Sequence, residues 1–275
     1  MAFLGAAAGT LFSTVFPSEC RFCGAPLARI TRIPVCNACL EDIHRFQEPV
    51  CTVCGQRLLS PDWAVGRCVE CLRVEPPYER ALAYGSYTGA LRDLILLLKY
   101  HGVRPAAAVL GRMLAETASV LVSDCGAKRP LVIPVPLHSA KLTQRGFNQS
   151  ELIARAAVKV LDKRLSVNNS ALVRRRATQS QTGLSRPQRR LNMRGAFEVV
   201  RPTEVAGREI LLIDDVLTTG TTASECARVL RRAGADRVFV ATVARVVRVE
   251  ESFVTPSEAP EDTQPAVRIA RAGHA

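Results

Sequence analysis

A chain of 275 residues, 48% of them hydrophobic, is long enough for one α/β domain and a smaller module, since domains run to ~100 to 200 residues. Its formal charge of +12 is uneven: residues 1–76 carry seven basic and seven acidic side chains, so the whole excess lies in residues 77–275, where an anionic ligand is expected. No stretch of the sequence approaches the ~20 apolar residues of a membrane span, which excludes membrane insertion from the expected roles.

The run from Ala2 to Pro17 is apolar enough to suggest a secretory signal, but no Lys or Arg precedes Arg21, so the positive n-region of such a signal is missing. It reads as an apolar helix (1–17) packing on the neighbouring domain of a cytoplasmic protein. Eight of the ten cysteines then form four CxxC pairs within a module spanning 18–76: Cys20 and Cys23, Cys36 and Cys39, Cys51 and Cys54, Cys68 and Cys71. Two thiolates two residues apart bind one zinc ion from a single turn, and a second such pair completes a tetrahedron. The first and third pairs are offset by 31 residues and the second and fourth by 32, an internal repeat that favours sequential sites over a cross-braced pairing of first with third. Disulfides are rare in reducing cytosol, and a redox dithiol does not need four copies. Gly24 and Gly55 each follow a leading pair, where a permissive backbone helps amides point at sulfur. Four thiolates around one divalent ion leave the module net negative, so a structural or protein-docking role stands beside DNA contact. Cys125 and Cys226 fall outside the pattern and read as small buried thiols.

The larger domain, 77–249, opens with a strand near Ala81–Tyr87 and helices near Ala90–His101 and Pro105–Val122. Leu131–Pro136 is a short apolar run of the kind found inside a parallel sheet, and strands are also expected at Ile210–Asp214 and Arg237–Ala244. Apolar residues at Leu152, Ile153, Ala156, Ala157, Val160 and Leu161 keep helical spacing and predict a helix over Ser150–Leu161, starting at Asn148 or Ser150 as N-cap. His138, Lys141 and Arg145 are thereby placed in a loop just past a strand end. Residues 171–195 hold seven arginines and no acid, too polar for core. Such a loop closes over a bound polyphosphate, tracks a single-stranded DNA, or is a solvated face; Phe197 is the one aromatic nearby for base stacking.

Ile210–Thr222 reads ILLIDDVLTTGTT. Four apolar residues form a buried strand ending on Asp214 and Asp215, and ligands of open α/β sheets collect at the carboxyl ends of strands. Thr218, Thr219, Gly220, Thr221 and Thr222 lead into a helix at Ala223–Ala233, where backbone amides and hydroxyls cradle a phosphate and Gly220 lets the backbone approach it. Residues 250–275, with five acids, two arginines and three prolines, read as a disordered tail.

The segment Ile210–Thr222 resembles the 5-phosphoribosyl-1-pyrophosphate (PRPP) signature of type I phosphoribosyltransferases over its full thirteen positions. The resemblance implies that Asp214 and Asp215 hold the ribose hydroxyls, directly or through magnesium, and that the stretch through Val216 and Leu217 to Thr218–Thr222 holds the 5-phosphate. On the same rim, Pro136, Leu137, His138 and Ser139 become the pyrophosphate loop, supported by Lys141, Arg145 and Asn148. Together with the two cysteine repeats, PVPLH, RGFNQ, and the loop bearing Arg174, Arg175, Arg176, Gln181, Arg190 and Asn192, the chain is similar to the ComF family of double zinc ribbon phosphoribosyltransferase-like proteins. That similarity runs from Pro17 to Arg245. It implies an α/β fold of the type I phosphoribosyltransferase class, mainly a parallel sheet with flanking helices, and a part in DNA uptake in naturally transformable bacteria.

The implied reaction displaces pyrophosphate from the anomeric carbon while magnesium neutralises the leaving group and the arginine loop excludes water. Purine-salvage relatives place an acid in the phosphate loop to deprotonate the incoming nitrogen; Thr218 stands there here. Two classes of function follow. One is a magnesium-dependent transferase acting on PRPP and an acceptor the motifs do not name. The other is a non-catalytic PRPP-responsive protein that engages single-stranded DNA or a protein of the uptake machinery.

Overall fold

The computed structural model describes residues 18–27, 31–58, 65–126, 129–163, 165–177 and 186–247. The expected N-terminal helix, the C-terminal tail and Gln181 lie outside the described residues. Two short helices, α1 (Asn37–Glu41) and α2 (Val69–Arg73), belong to the cysteine repeats. The larger part follows as β1 (Arg80–Ser86), α3 (Gly89–His101), α4 (Ala106–Asp124), β2 (Leu131–Pro134), α5 (Ser139–Arg145) and α6 (Gln149–Leu161). It continues with β3 (Leu172–Arg174), α7 (Arg186–Met193), β4 (Phe197–Val199), α8 (Pro202–Val205), β5 (Glu209–Leu217), α9 (Thr221–Arg232) and β6 (Arg237–Arg245).

β1, β6, β5 and β2 pair in that order, all parallel, which leaves β5 and β6 covered on both faces and explains their near-continuous apolar runs. The expected α/β architecture is therefore the observed one. α3, α4 and α6 fill one face with Leu94, Leu98, Leu110, Leu114 and Ile153, meeting Leu211, Ile213, Phe239 and Ala241 of the sheet. α9 and the antiparallel pair β3–β4 fill the other, where Leu172, Phe197, Cys226 and Leu230 meet Ile210, Leu212, Val238 and Val240. Contrary to the expectation that no stretch approaches a membrane span, α4 is long and apolar enough to cross a membrane by length and composition, but most of it is buried in the fold, which makes it a core helix. Gly111 of α4 lies so close to Ala156 of α6 that a Cβ there would overlap the alanine methyl, and this missing side chain sets the approach of the two helices.

Several boundaries move. β5 runs on to Leu217, so Asp214 and Asp215 sit within the strand; the ladder to β6 holds Asp214 opposite Thr242 and Val216 opposite Ala244. Thr221 and Thr222 form the first turn of α9. His138, Lys141 and Arg145 are not in an open loop: residues 139–145 form a helix whose N-cap is His138, with Nδ1 accepting from the Ala140 amide. The arginine-rich segment is not wholly outside the core either, because β3 and α7 deliver Leu172 and Met193 into the second layer. Cys226 is fully buried as expected, whereas Cys125 is half-buried and donates to the Leu121 carbonyl.

β1 is an edge strand, and the cysteine repeats cover it. The Phe46 amide donates to the Tyr84 carbonyl at 2.8 Å, and the Ala81 amide donates to the Val53 carbonyl at 2.7 Å. An edge that would otherwise template foreign strands is thereby occupied from within the chain.

Candidate functional site

The carboxyl ends of β5, β2 and β6 form a rim to which each neighbouring element contributes one group. Asp215 is only 4% exposed, and Lys99, from the last turn of α3, reaches it at 2.8 Å. Burial opposes the Lys99 charge, but the two rim carboxylates, Asp215 foremost, hold its pKa above the ordinary lysine value. Asp214 is half-buried; its Oδ1 accepts from Ser150 Oγ at 3.0 Å and from the Asp215 amide at 2.9 Å. Desolvation, reinforced by the Asp215 charge, pushes the Asp214 pKa up to about 7. The twin acids are thus unequal: Asp215 is buried in an ion pair, and Asp214 is half-buried without one.

Gly220 stands at φ +76°, a conformation in which a Cβ is strained, and it caps α9. Thr219 and Thr221 hydroxyls lie 2.8 Å apart beside it, at the positive end of a 12-residue helix. Thr218 and Thr222 complete the bend, both half-buried.

Across the rim, Asn148 caps α6 by accepting from the Ser150 amide at 3.1 Å and ties it to the residue just past β2 by donating to the Val135 carbonyl at 3.0 Å. This places Ser150 against Asp214. Pro136, Leu137 and His138 are half-buried, while Ser139 and Lys141 are exposed. Arg145 donates to Gln149 and stacks on the Tyr100 ring at 5.6 Å. His138 bridges Arg174 of β3, which draws Arg174 out of the expected lid and onto the rim, over the Phe197 ring at 5.4 Å. The Lys141 pKa is pulled down, first by desolvation and then by Arg174, Arg145 and Lys99, so these four cations converge. A convergence of cations beside two carboxylates accommodates a polyanion that carries its own metal.

Two further arginines of the segment are committed elsewhere. Arg175 pairs with Glu198 at 2.7 Å, and Arg176 donates to the Asn192 and Arg194 carbonyls at 2.8 and 2.9 Å, capping the end of α7. Arg190 lies within α7. Lys99 and Ser150 were not anticipated as site residues. The signal for Lys99 was present: it falls on the stripe of Leu91, Leu94, Ile95 and Leu98, where a lysine on an apolar helix face needs a buried partner.

The eight CxxC thiols form two clusters, Cys20, Cys23, Cys36 and Cys39, and Cys51, Cys54, Cys68 and Cys71, with the sulfur atoms of each within 4.8 Å of one another. Pairing is sequential, and the cross-braced alternative is not formed. Tetrahedral zinc with Zn–S ~2.3 Å demands sulfurs ~3.8 Å apart. Observed separations are 3.9 Å for Cys20–Cys39, 3.7 Å for Cys23–Cys36 and 3.6 Å for Cys54–Cys68, so both donor sets fit zinc. Burial raises the Cys20 pKa, but amides of Cys36, Cys23 and Phe22 outweigh it and bring the thiol down to about 6. In the second cluster the added donor is a side chain, Arg245 Nη2, 3.6 Å from Cys54 Sγ.

Residues 11–72 match the double zinc ribbon domain model and residues 148–254 the phosphoribosyl transferase domain model. The chain is 32% identical over 232 residues to the DNA utilization protein YhgH of Salmonella typhimurium, covering 84% of this chain and 98% of that one. It is 31% identical over 236 residues to Competence protein F of Haemophilus influenzae, with the same coverage. Among solved structures, a hypoxanthine phosphoribosyltransferase from Staphylococcus aureus aligns at 17% identity and a TM-score of 0.34, over 52% of this chain and 64% of that one.

Proposed function

Because the chain belongs to the ComF family of double zinc ribbon proteins with a phosphoribosyltransferase domain, we propose that its larger domain binds PRPP and transfers the phosphoribosyl group to an acceptor, in the cytoplasm and in the service of DNA uptake or utilisation. The observation that carries this reading is the rim itself: a half-buried carboxylate, Asp214, stands between a threonine-lined helix N-terminus and a convergence of Lys99, Lys141, Arg145 and Arg174. A phosphorylated pentose with a pyrophosphate at its first carbon has that order of charges. Asp214 accepts from the ribose hydroxyls, and Thr218–Thr222 anchor the 5-phosphate as a remote handle. Lys141 and Arg145 meet the pyrophosphate, whose charge opposes the lowering of the Lys141 pKa. Asp215 and Lys99 hold the strand terminus rigid beneath. Asp214 and the pyrophosphate itself would hold magnesium, and the chemistry it would supply is neutralisation of the leaving group.

Thr218 occupies the position from which a carboxylate would deprotonate an incoming nitrogen, which favours ammonia or an already anionic nucleophile. It also keeps in view a PRPP-responsive protein without turnover, acting on single-stranded DNA or a partner protein.

Calorimetry of the zinc-loaded chain with PRPP and magnesium tests the reading. Uptake is expected, weakened at least tenfold in Asp214→Asn. The free carboxyl keeps its proton up to about pH 7 while the ligand favours the carboxylate, so affinity rises with pH through that region and levels off above it. Pyrophosphate release across ammonia, glutamine and nucleobases, with the Asp214→Asn, Asp215→Asn double variant as blank, separates transferase from sensor. Absence of PRPP uptake overturns both.

A further inference from the structure

A cleft of about 730 Å³ separates the second cysteine repeat from α9. Glu70, Glu75 and Tyr78 stand on the repeat side, Met193–Gly195 close the far flank, and Thr219 and Thr221 of the threonine loop form one end. Thr221, Ser224, Glu225, Arg228 and Arg232 recur at three- and four-residue steps and so share one helix face, which carries the cleft along α9 for ~16 Å at ~1.5 Å per residue. Asp214, Asp215, Lys99, Lys141 and Arg145 do not line it. The cleft and the rim share only the threonine loop.

The walls are fixed by buried charge. Glu225, 8% exposed, accepts from the Gly195 amide at 2.7 Å and from Arg228 Nε at 2.8 Å, locking the end of α7 to α9. These donors hold its pKa below the ordinary glutamate value against the burial that would raise it. Arg245, 6% exposed, forms the floor; it donates to Gln56 at 3.0 Å and to Cys54 Sγ, while its buried Nη1 has no hydrogen-bond partner among the described residues.

Charge along the cleft is graded. Arg228 is matched by Glu225, Arg57 by Glu48, and Glu75 by Arg67. Arg194 and Arg232 are exposed and make no salt bridge among the described residues; Arg194 follows α7 beside the Glu225 contact, and Arg232 makes the end of α9 remote from the threonine loop cationic. The near end offers uncharged hydroxyls of Tyr78, Thr219, Thr221 and Ser224. Pockets for small molecules run from ~300 to ~1,000 Å³ and place a few polar groups around a larger body.

We propose that this cleft is a second ligand site, separate from the PRPP cradle, which takes a phosphomonoester of nucleotide size. Its phosphate lies between Arg194 and Arg232, and its uncharged polar end meets Tyr78 and Ser224, which the PRPP cradle does not use. Guanidinium forks suit a phosphate, and the graded cleft orients the ligand.

The test titrates the full zinc-loaded chain with AMP, GMP, CMP and UMP in turn, with PRPP and magnesium saturating, and repeats each with the corresponding nucleoside. At least one nucleotide is expected to bind beside PRPP, with its nucleoside at least tenfold weaker. Arg194→Glu, Arg232→Glu, both changes on exposed side chains, is expected to weaken the nucleotide at least tenfold and leave PRPP within about twofold. Displacement of every nucleotide by PRPP, equal binding of nucleotide and nucleoside, or indifference to the double charge reversal overturns the proposal; so does no nucleotide uptake at millimolar concentration while PRPP binds. Failure of PRPP alone to bind strikes the PRPP reading instead, and the nucleotide titration then stands by itself.

Discussion

In the first cysteine repeat Cys23 is exposed and Cys36 and Cys39 are half-buried, whereas in the second all four sulfur-bearing residues are buried. The first packs Cys20, Leu27, Val35 and Ile43 into the layer beneath α3 and α4; the second packs Val53, Leu58 and its cysteines into the layer beneath α9. The same spacing thus flanks one edge strand from both faces of the sheet, in two environments. A metal knuckle at the surface needs only backbone amides to satisfy its thiolates. One drawn into the core needs a compensating cation, and Arg245 is present there with no carboxylate salt bridge among the described residues. The repeat conserves the ligand geometry while the surroundings decide whether the metal supports a local turn or the body of the larger domain.

The comparison breaks first at the ligands. Structural zinc contributes roughly 10 kcal/mol or more to folding. Cys51→Ser is expected to abolish cooperative melting of the whole chain, while Cys23→Ser leaves a cooperative transition for the sheet and its helices; circular dichroism melts with zinc content measured alongside read both, and equal effects would erase the distinction. Next come the glycines that follow the leading pairs. Both adopt φ near +70°, +73° for Gly24 and +67° for Gly55, so alanine strains each by roughly 1–2 kcal/mol. A Cβ on Gly24 meets open space, but on Gly55 it would stand 2.6 Å from the Ala81 carbonyl oxygen, backbone that cannot swing aside. Gly55→Ala is therefore expected to lose about 2–3 kcal/mol more than Gly24→Ala in urea unfolding. The smallest effect is Arg245→Met, which removes a charged hydrogen bond worth about 1.5–3 kcal/mol. Chelator-driven zinc loss from the second site should quicken severalfold while the first site keeps its rate.

The central strand, its two acids and the threonine bend were legible in the sequence because they are contiguous, so their chemistry reduces to local geometry. The cysteine pairing was legible for the same reason, through the 31- and 32-residue repeat. Lys99 was obscured because its partner, Asp215, is remote in sequence and only the packing of α3 on the sheet brings them together. The arginine segment misled in the opposite way. Seven charges hid the short strand that carries Leu172 inward, and composition does not distinguish Arg174, drawn to the rim by His138, from Arg175 and Arg176, which serve local structure. Likewise His138 is a loop residue by composition and a helix cap by geometry, since one accepted amide suffices to start a turn.

The bare α-carbon at Gly111 has a reach beyond its own helix pair. It lets α4 nest against Ala156, and α6, so seated, carries Asn148 and Ser150 at its leading end, where the serine hydroxyl touches Asp214. Any bulk at that crossing would lever α6 outward and withdraw the hydroxyl from the acid. The tolerance of a carboxylate at the mouth of the sheet is thereby set by an absent methyl on its underside.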